Sequence, residues 1–488
     1  MNYIEALKKE EILTTTTENG DTAFQTTGSF CLDFYALAGG MRYNYKDLNN
    51  LFIRSYYENK LITLKIMLYL RDILGGMGER NSFRMTFNLL SNLDPNLARQ
   101  LLPLVSKYGR WDDILAGINT PIEEDIIKLI KKTLKADLKN YDKGKEISLL
   151  SKWLPSINTS NKGARKMANK IATKLGYTNE EYRKVLSKLR KGKIVENYLR
   201  EKKYTFDYSK VPSLAMLKYS GAFARNDEER FDKFLGRVEN KQAKINTKTA
   251  HVHQVACYEM SCNMSVKERF QDVYWKAIER KEFATKAIVV RDGSSSMTWG
   301  GNGSYTPMQI ATSLAIFAAE QLPYPFKNHF ITFSENPRLI EIPEGTIEEK
   351  VRYVESFDEC ANTDISKVYE LLLNVAKSKQ VKPEDMVEQV IIISDMEFDY
   401  CARGKSTFHT YKEKFAELGL EMPQLVFWNV EARSIHTPVT ENEIGVKLVS
   451  GSSQKILDRV LENKMNCTPY DYMIEDLERY SEVDSFKL

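Results

Sequence analysis

One short stretch of the chain combines an acid with a run of hydroxyl side chains. The sequence AIVVRDGSSSM places Asp292, Ser294 and Ser296 in a D-x-S-x-S pattern directly after an apolar run. One carboxylate and two hydroxyls on a single turn offer the oxygen ligands that hard divalent cations such as Mg²⁺ prefer. A turn alone would explain the glycine and the serines, so a metal site also requires oxygen ligands from residues further along the chain.

Two further oxygen-bearing residues occur at comparable positions. Thr363 opens a helical pattern in ANTDIS, and Asp395 comes directly after the apolar run VIIIS. Ligands of open parallel sheets bind beyond the carboxyl ends of the strands. We therefore predict that Asp292, Ser294, Ser296, Thr363 and Asp395 converge on one Mg²⁺ ion, with Mn²⁺ or Ca²⁺ as alternatives. Two carboxylates do not enclose such an ion, so a position remains for water or for the carboxylate of a protein partner.

The elements that would position these residues are indicated by a change of pattern near residue 283. After it, β-branched runs such as KAIVVRD and NHFITFS alternate with helical patterns such as TPMQIATSLAIFAAEQL. This alternation is typical of a doubly wound, Rossmann-like domain whose parallel sheet is covered on both faces. We predict an α + α/β fold in which residues 283–488 form this α/β domain.

The preceding residues, 1–282, show helical spacing of apolar residues and short loops, with Pro95 and Pro121 predicted in first turns of helices. Short helices joined by short loops suggest an all-α, HEAT-like helical-repeat domain, although the sequence has no clean period. Thr178 and Glu181 form a predicted capping box in this region.

The composition excludes several classes of protein. The chain has 488 residues, of which 42% are hydrophobic and 28% charged, as in ordinary globular proteins. It has no apolar run of the length that a membrane helix needs, and we recognise no signal peptide. Six scattered cysteines argue against a disulfide framework, so we expect a cytoplasmic protein without membrane contact. Five histidines and no recognisable catalytic triad lead us to expect no enzyme.

Charge is distributed unevenly along the chain. Residues 152–248 contain 24 Lys and Arg against 10 Asp and Glu, a net charge of +14, whereas residues 283–488 contain 21 against 32, a net charge of −11. A basic segment of this kind favours a polyanionic partner such as a nucleic acid. Tyr177, Tyr182 and Tyr198 lie among the cations, as core residues or as platforms for unpaired bases. The candidate nucleic-acid-binding residues are Lys162, Arg165, Lys166, Lys170, Arg183, Lys184, Lys188, Arg190 and Lys191.

Two other motifs are weaker. The glycines of GGMGER have no preceding strand and no following GK[ST], so we predict a helix-to-helix turn and not a phosphate loop. His251, His253, Cys257 and Cys262 offer a conceivable zinc set, but their spacing matches no common zinc site.

The acidic and hydroxyl motifs carry a family resemblance. DGSSSM, then TD, then SDMEFD, in this order, resemble the metal-ion-dependent adhesion site of von Willebrand factor A domains. The resemblance implies that the five predicted ligands, Asp292 to Asp395, hold a divalent cation. Arg291 stands where that family usually has an apolar residue or cysteine, and Asn362 precedes Thr363 where glycine is usual.

The helical region carries a second resemblance. YLRDILGGMGERNSFR (69–84) and YGRWDDIL (108–115) resemble the start of the TROVE module of Ro ribonucleoproteins. Three further segments, CLDFYALAGGMR, SKWLPS and EYRKVLSKLR, resemble a related uncharacterised family that joins a TROVE-like helical region to a von Willebrand factor A domain. Together these resemblances imply an RNA-binding protein whose partners are small structured RNAs or the ends of misfolded RNAs.

Two alternatives remain from the sequence. The chain would serve as a protein-interaction scaffold if the metal captures a carboxylate of a partner protein. It would be a hydrolase if the metal activates water for RNA cleavage, an alternative with less support because few catalytic residue types are present.

Overall fold

The chain is described by a computed structural model that covers residues 14–17, 20, 22–191, 194–258, 264–299, 305–358, 364–397, 407–462 and 466–488. These residues form two compact units. Unit 1 comprises Met1–Ser82 and Thr247–Ser481, and unit 2 comprises Phe83–Asn246 and Glu482–Leu488.

The helices follow one another along both units with short connections. In chain order they are α1 (Phe30–Leu37), α2 (Tyr45–Glu58), α3 (Lys60–Arg71), α4 (Arg80–Leu93), α5 (Pro95–Tyr108), α6 (Glu123–Asp142), α7 (Leu150–Trp153), α8 (Lys162–Leu175), α9 (Asn179–Arg190), α10 (Val195–Arg200), α11 (Ser213–Asn226), α12 (Glu228–Glu239), α13 (Val252–Ala256), α14 (Met264–Ala277), α15 (Pro307–Ala319), α16 (Ile347–Glu355), α17 (Ile365–Lys379), α18 (Thr407–Glu417), α19 (Leu457–Val460) and α20 (Pro469–Leu477).

The strands form two sheets in the described part of unit 1. They are β1 (Thr14–Thr16), β2 (Thr22–Phe24), β3 (Ala287–Asp292), β4 (His329–Phe333), β5 (Leu339–Glu341), β6 (Gln389–Ser394), β7 (Gln424–Asn429) and β8 (Val446–Ser450). The first two pair as an antiparallel ribbon. The other six form one sheet in the order β5-β4-β3-β6-β7-β8, in which only β5 is antiparallel to its neighbour.

The order of the strands creates a crevice. The chain proceeds from β3 outward to β4 and β5, and then returns to place β6 on the other side of β3. The carboxyl ends of β3 and β6 therefore lie side by side at the point where the strand order reverses. Ligand sites of open α/β sheets occur at such switch points.

The sheet is buried on both faces. Every residue of β3, β6, β7 and β8 is buried, and successive side chains of a strand point to opposite faces. Helix α15 contacts β3, β4 and β6 and is apolar nearly all round, with Thr306 as its N-cap and Pro307 as its first residue. The α + α/β fold class predicted from the sequence is therefore present.

Helices from the start of the chain belong to the same unit as the sheet. Helix α1 contacts β8, and α20 contacts α1 and α3. The Tyr35 hydroxyl donates to Asp476 Oδ2 over 2.6 Å, and the Tyr480 hydroxyl donates to Asp72 Oδ2 over 3.1 Å. These buried bonds join residues that are more than 400 positions apart in the sequence, so unit 1 contains both early and late segments of the chain.

The regular secondary structure in the described part of unit 2 consists of helices. Its short helices pack against near neighbours in the chain: α6 contacts α7, α8 and α9, and α11 contacts α12. The last residues of the chain belong to this unit as well, since the Tyr108 hydroxyl donates to Glu482 Oε2 over 2.5 Å and Gln100 Nε2 donates to the Lys487 carbonyl over 2.9 Å.

Most local predictions are confirmed. Thr178 and Glu181 form the predicted capping box, Pro95 is the first residue of α5, and GGMGER forms a turn between α3 and α4. The prediction for Pro121 is wrong, because α6 begins only at Glu123. The preceding residues form a turn instead, in which the Glu123 N–H donates to the Thr120 carbonyl over 3.0 Å.

The compact units divide the chain differently from the predicted domains, 1–282 and 283–488. Residues before 83 and from 247 to 282 belong to the unit that contains the sheet. Among the helices that the structure describes, none combines the length and the apolar composition required of a membrane span.

Candidate metal centre and candidate nucleic-acid surface

The turn after β3 brings an acid and two hydroxyls together. Asp292 ends the strand and is buried. Its Oδ1 accepts the Ser294 N–H over 2.8 Å, and its Oδ2 accepts the Ser394 hydroxyl over 2.6 Å. A short 3₁₀ turn, Ser295–Thr298, comes next, and the hydroxyls of Ser294 and Ser296 lie 2.9 Å apart.

The neighbouring strand supplies the second acid. Asp395 follows β6 directly and is buried. Its Oδ1 accepts the Glu397 N–H over 3.4 Å, and the Ser296 hydroxyl lies beside its carboxylate. Its buried Oδ2 lies 3.0 Å from Arg433 Nη2 as an ion pair, but it accepts no hydrogen bond from the described residues.

The electrostatics of the two acids reflect this shared burial. Burial and the nearby Asp292 carboxylate raise the pKa of Asp395 to about 7, and Arg433 opposes this rise. Burial likewise raises the pKa of Asp292, which the hydrogen bonds from Ser394 and Ser294 oppose. Two buried carboxylates that repel each other would be stabilised by a cation bound between them.

The residues present fit a hard divalent cation. Asp292, Ser294, Ser296 and Asp395 lie in one cluster, and the buried Asp395 Oδ2, although paired with Arg433, accepts no hydrogen bond from the described residues. The fifth predicted ligand, Thr363, lies outside the described residues. No group of three or more His, Cys, Asp or Glu side chains suited to a metal occurs in the described ranges, so a cation here would depend on the serine hydroxyls.

Sequence reasoning missed three residues of this cluster. Ser394 donates to Asp292 and Arg433 pairs with Asp395, and neither belongs to the D-x-S-x-S pattern. Met396 has a positive φ of 66°, which turns the backbone sharply after Asp395. The sequence could have indicated Ser394, because it lies next to the predicted ligand Asp395. It contains no pattern that links Arg433, which follows a different strand, to this cluster.

The unusual Arg291 belongs to the packing behind the site. It is buried at the penultimate position of β3, where its Nη2 pairs with Asp358 Oδ1 over 2.6 Å and donates to the Val354 carbonyl over 3.2 Å. Its guanidinium also lies 5.8 Å from the centre of the Phe330 ring. Asp358, the Val354 carbonyl and the Phe330 ring therefore compensate for the burial of this arginine. The side chain of Arg291 points to the opposite face of the strand from that of Asp292.

The alternative zinc set does not assemble as four ligands in the described residues. The His251 and His253 rings stack with centres 5.4 Å apart, and both Nδ1 atoms are buried without a hydrogen bond. The Cys257 thiol instead lies 3.8 Å from the Ser313 hydroxyl, and Cys262 lies outside the described residues.

The nine candidate RNA-binding residues of unit 2 differ in their surroundings. Those with exposed side chains and no ion pair in the described part of the chain are Lys162, Arg165, Lys166, Arg183 and Lys191. Three others are paired: Lys170 with Glu123 over 2.6 Å, Lys184 with Glu180 over 2.8 Å and Lys188 with Asp142 over 2.6 Å.

The ninth candidate, Arg190, has a structural role. Its guanidinium donates to the carbonyls of Ser151 and Leu154 over 2.8 and 2.7 Å and to the Ser156 hydroxyl over 2.6 Å. Tyr182 is a core residue whose hydroxyl donates to the Pro155 carbonyl over 3.0 Å. Tyr182 is therefore unable to stack on a base from the surface.

Two family models match consecutive parts of the chain. One, a domain of unknown function (DUF2828), matches residues 17–115 and 122–285, and the other, a domain of unknown function (DUF7788), matches residues 286–484. An uncharacterized protein of Acanthamoeba polyphaga mimivirus is 29% identical over 507 aligned positions, which cover 95% of this chain and 87% of the relative.

Solved structures resemble the chain only distantly. The RO (RSR) protein of Deinococcus radiodurans is 13% identical, covers 82% of this chain and 89% of its own, and has a TM-score of 0.36. Proximal thread matrix protein 1 of the mussel byssus, solved with a zinc-occupied MIDAS motif, is 13% identical with a TM-score of 0.26. The chain spans about half of that protein, with 49% of it covered. Likenesses this weak establish neither a shared fold nor a shared function.

Proposed function

The chain belongs to the DUF2828 family, whose model matches more than half of its residues, and from this premise we propose that it is an RNA-binding protein. The RNA would bind to unit 2 through basic side chains on the exposed face of α8 and near the end of α9. We propose no catalytic function, and we propose the cytoplasm as its location. The Ro-like resemblance of the sequence motifs supports the same assignment.

The observation that carries this proposal is the cluster of unpaired cations. Lys162, Arg165 and Lys166 are exposed on α8 and have no ion pair among the described residues. Residues three and four positions apart share one face of a helix, so these three charges form one row. Such a row neutralises successive phosphates and releases their counterions.

We propose in addition that the sheet of unit 1 is a von Willebrand factor A domain and that the helices of unit 2 are a HEAT-like array. Asp292, Ser294, Ser296, Thr363 and Asp395 would hold Mg²⁺, Mn²⁺ or Ca²⁺. When bound, the ion would supply a positive charge with an open position for an oxygen ligand. The residues of the chain would orient that ion: Ser394 and the Ser294 N–H hold the Asp292 carboxylate, and Arg433 holds that of Asp395.

The open position supports a second candidate function, capture of a carboxylate from a protein partner. The observation that favours it is the buried Asp395 Oδ2, which accepts no hydrogen bond from the described residues and has Arg433 as its ion-pair partner there. In that case the chain is a scaffold that binds a protein through unit 1 and RNA through unit 2.

RNA binding is tested by the dependence of affinity on salt. Single-stranded RNA should bind the full chain with a log–log slope of about −0.7 per phosphate contacted. In the triple variant Lys162→Gln, Arg165→Gln, Lys166→Gln, the slope should become shallower by roughly 2, because up to three phosphate contacts are lost. Fluorescence anisotropy with a labelled RNA at several salt concentrations measures both slopes.

A matched control removes three exposed lysines from unit 1. The variant Lys327→Gln, Lys377→Gln, Lys379→Gln loses the same charge and should keep the wild-type slope. Absence of measurable binding at low salt, or equal slopes in all three proteins, would contradict the assignment of RNA to unit 2.

A further inference from the structure

A cavity of about 670 Å³ lies in unit 2, next to the end of α9. Its walls come from the segment before α8, from α9 and from α10. Sites for small molecules in proteins have volumes of about 300–1,000 Å³, so the cavity has the size of a small-molecule site. Its charged wall residues are Arg183, Lys188, Arg190, Lys191, Arg200 and Glu201.

The charge of this wall is poorly compensated. Five of its six charged residues are cations, and one is an acid. Lys188 pairs with Asp142 over 2.6 Å, and Arg200 lies 3.9 Å from Glu201. Arg183 and Lys191 are exposed and have no ion pair in the described chain. The wall therefore has an excess of positive charge that an anionic ligand would neutralise.

Arg190 gives the cavity a fixed cation. Its bonds to two carbonyls and to the Ser156 hydroxyl hold the guanidinium in place and use three of its five N–H donors. None of these partners carries a negative charge, and the side chain is half-buried. A held, half-buried guanidinium with no carboxylate partner among the described residues is suited to a phosphate, which it binds through charge-assisted hydrogen bonds.

The remaining wall is mixed in character. Ser156, Asn158 and Asn197 offer hydroxyl and amide groups, and the Asn197 amide already donates to the Arg190 carbonyl over 3.2 Å. Ile157 and Ile194 are half-buried and form the apolar part of the wall. A phosphate alone would need only the cations, whereas polar groups and an apolar wall suit a sugar and a base as well.

We infer that this cavity binds one nucleotide, with its phosphate at Arg183, Arg190 and Lys191 and its base against the apolar wall. The inference goes beyond the RNA-binding proposal, because a free nucleotide would bind here whether or not the row of cations on α8 binds RNA. The nucleotide has two sources, a free nucleoside phosphate or one residue of an RNA chain, and competition between ADP and RNA separates them.

The test is a calorimetric titration of the full chain with ADP and, separately, with inorganic pyrophosphate. ADP should bind, and pyrophosphate should bind at least tenfold more weakly because it lacks the base and the sugar. The double variant Arg183→Gln, Lys191→Gln should lose at least tenfold in ADP affinity, about 1.4 kcal/mol. Both side chains are exposed and without ion pairs in the described structure, so the fold should persist, whereas a change at Arg190 would remove three internal hydrogen bonds.

The matched control is Lys162→Gln, Arg165→Gln, which removes two exposed cations outside the cavity wall. It should change ADP affinity by less than twofold. Equal losses in the two double variants would indicate unspecific attraction by net charge and would overturn the inference, as would equal affinities for ADP and pyrophosphate.

A competition titration identifies the source. If a ten-nucleotide RNA displaces ADP from the wild type, the occupant is a nucleotide of an RNA chain; if both bind together, the occupant is a free nucleotide. Either result supports the site. Absence of ADP binding alongside salt-dependent RNA binding would overturn this inference alone, and ADP binding without RNA binding would overturn the proposed function alone.

Discussion

At the scale of single residues, the main feature is two buried acids that share one environment. Asp292 and Asp395 are both buried, and the Asp292 carboxylate is among the causes that raise the pKa of Asp395. Arg433 is the one cation paired with Asp395 in the described residues, and its side chain is only partly buried. Buried charges without full compensation cost several kcal/mol, so the cluster favours an additional cation.

The first residue-scale prediction concerns this cation. Mg²⁺ or Mn²⁺ should raise the thermal midpoint of the wild type, because an ion that binds only the folded state stabilises it by about 2.7 kcal/mol at a hundred times its dissociation constant. In Asp292→Ala the shift should disappear, since the variant lacks one of the two carboxylates. Differential scanning fluorimetry with and without each ion, after treatment with EDTA, measures the shift.

Asp385→Ala serves as the control for this measurement. Asp385 is an exposed acid in a short 3₁₀ turn, so its loss removes the same charge from outside the cluster, and the ion-induced shift should remain. If Mg²⁺ and Mn²⁺ shift wild type and Asp292→Ala by the same amount, the proposed metal centre is wrong.

At the scale of helices and strands, sequence reasoning succeeded where the signal is local. The capping box at Thr178 and the N-cap at Thr306 were predictable because both depend on residues within one turn. The position of Asp292 at the end of a buried strand was predictable for the same reason. Local hydrogen bonds and apolar periodicity determine these features, and the sequence displays both.

Sequence reasoning failed where distant segments meet. Arg433 reaches Asp395 from the region after β7, and no pattern links the two residues in the sequence. The RNA-binding prediction for Arg190 stays a prediction, but its bonds to the segment 151–156 were not indicated by the sequence. The charge of a side chain is visible in a sequence, whereas the partner that satisfies it is set by tertiary packing.

The next prediction concerns the stability of the fold at acidic pH. It involves His251, the residue that precedes helix α13. Burial lowers the pKa of His251 to about 4. Nearby Arg42, Lys455 and Arg71 lower it as well, and Glu79 opposes them. The contribution of neutral His251 to the free energy of unfolding is fully present above the unfolded-state pKa of about 6.5. It is lost as the pH falls through the folded-state pKa, because the unfolded chain gains a proton first.

The free energy of unfolding should therefore fall on the order of 1–3 kcal/mol between pH 7 and pH 4 from this residue alone. His253, whose pKa is also lowered by burial and by His251, should add to the fall. Urea unfolding at several pH values should show a weaker pH dependence in His251→Gln. His329→Gln, a change at a ring whose contact with the Lys327 carbonyl is exposed, is the control, and equal pH dependence in both variants would refute this explanation.

At the scale of the whole molecule, the two proposed functions occupy parts of opposite charge. Residues 152–248 have a net charge of +14, and residues 283–488 have one of −11. An acidic region repels phosphates, and a single metal ion offers few open positions. RNA affinity should therefore depend on unit 2 and be largely independent of the metal.

The corresponding prediction is that Asp292→Ala changes RNA affinity by less than about tenfold, roughly 1.4 kcal/mol. Anisotropy titrations of wild type and Asp292→Ala, in Mg²⁺ and in EDTA, make the comparison, and circular dichroism of the variant checks its fold. A loss of a hundredfold or more in folded protein would place the metal within the RNA site.

The change of pattern near residue 283 was readable in the sequence, and the two family models meet close to it, between residues 285 and 286. The sequence did not indicate which segments belong to each compact unit. The helices of residues 30–71 join the sheet through α1, α3 and β8, contacts that link opposite ends of the chain and leave no periodic signal. The division into domains 1–282 and 283–488 therefore stays a prediction.

Because α1 to α3 belong to the same unit as β8 and α20, this unit cannot fold completely until its late segments have been translated. Helices α1 to α3 are translated before residues 83–246 of unit 2, whereas their partners β8 and α20 are translated after those residues. At roughly 5–20 residues per second, the apolar faces of these helices wait on the order of half a minute before their partners exist. The continuous segment of unit 2 is complete well before that. During synthesis, residues 83–246 should therefore be folded while the apolar faces of α1 to α3 are still exposed, which makes residues 30–71 the expected binding site for a chaperone.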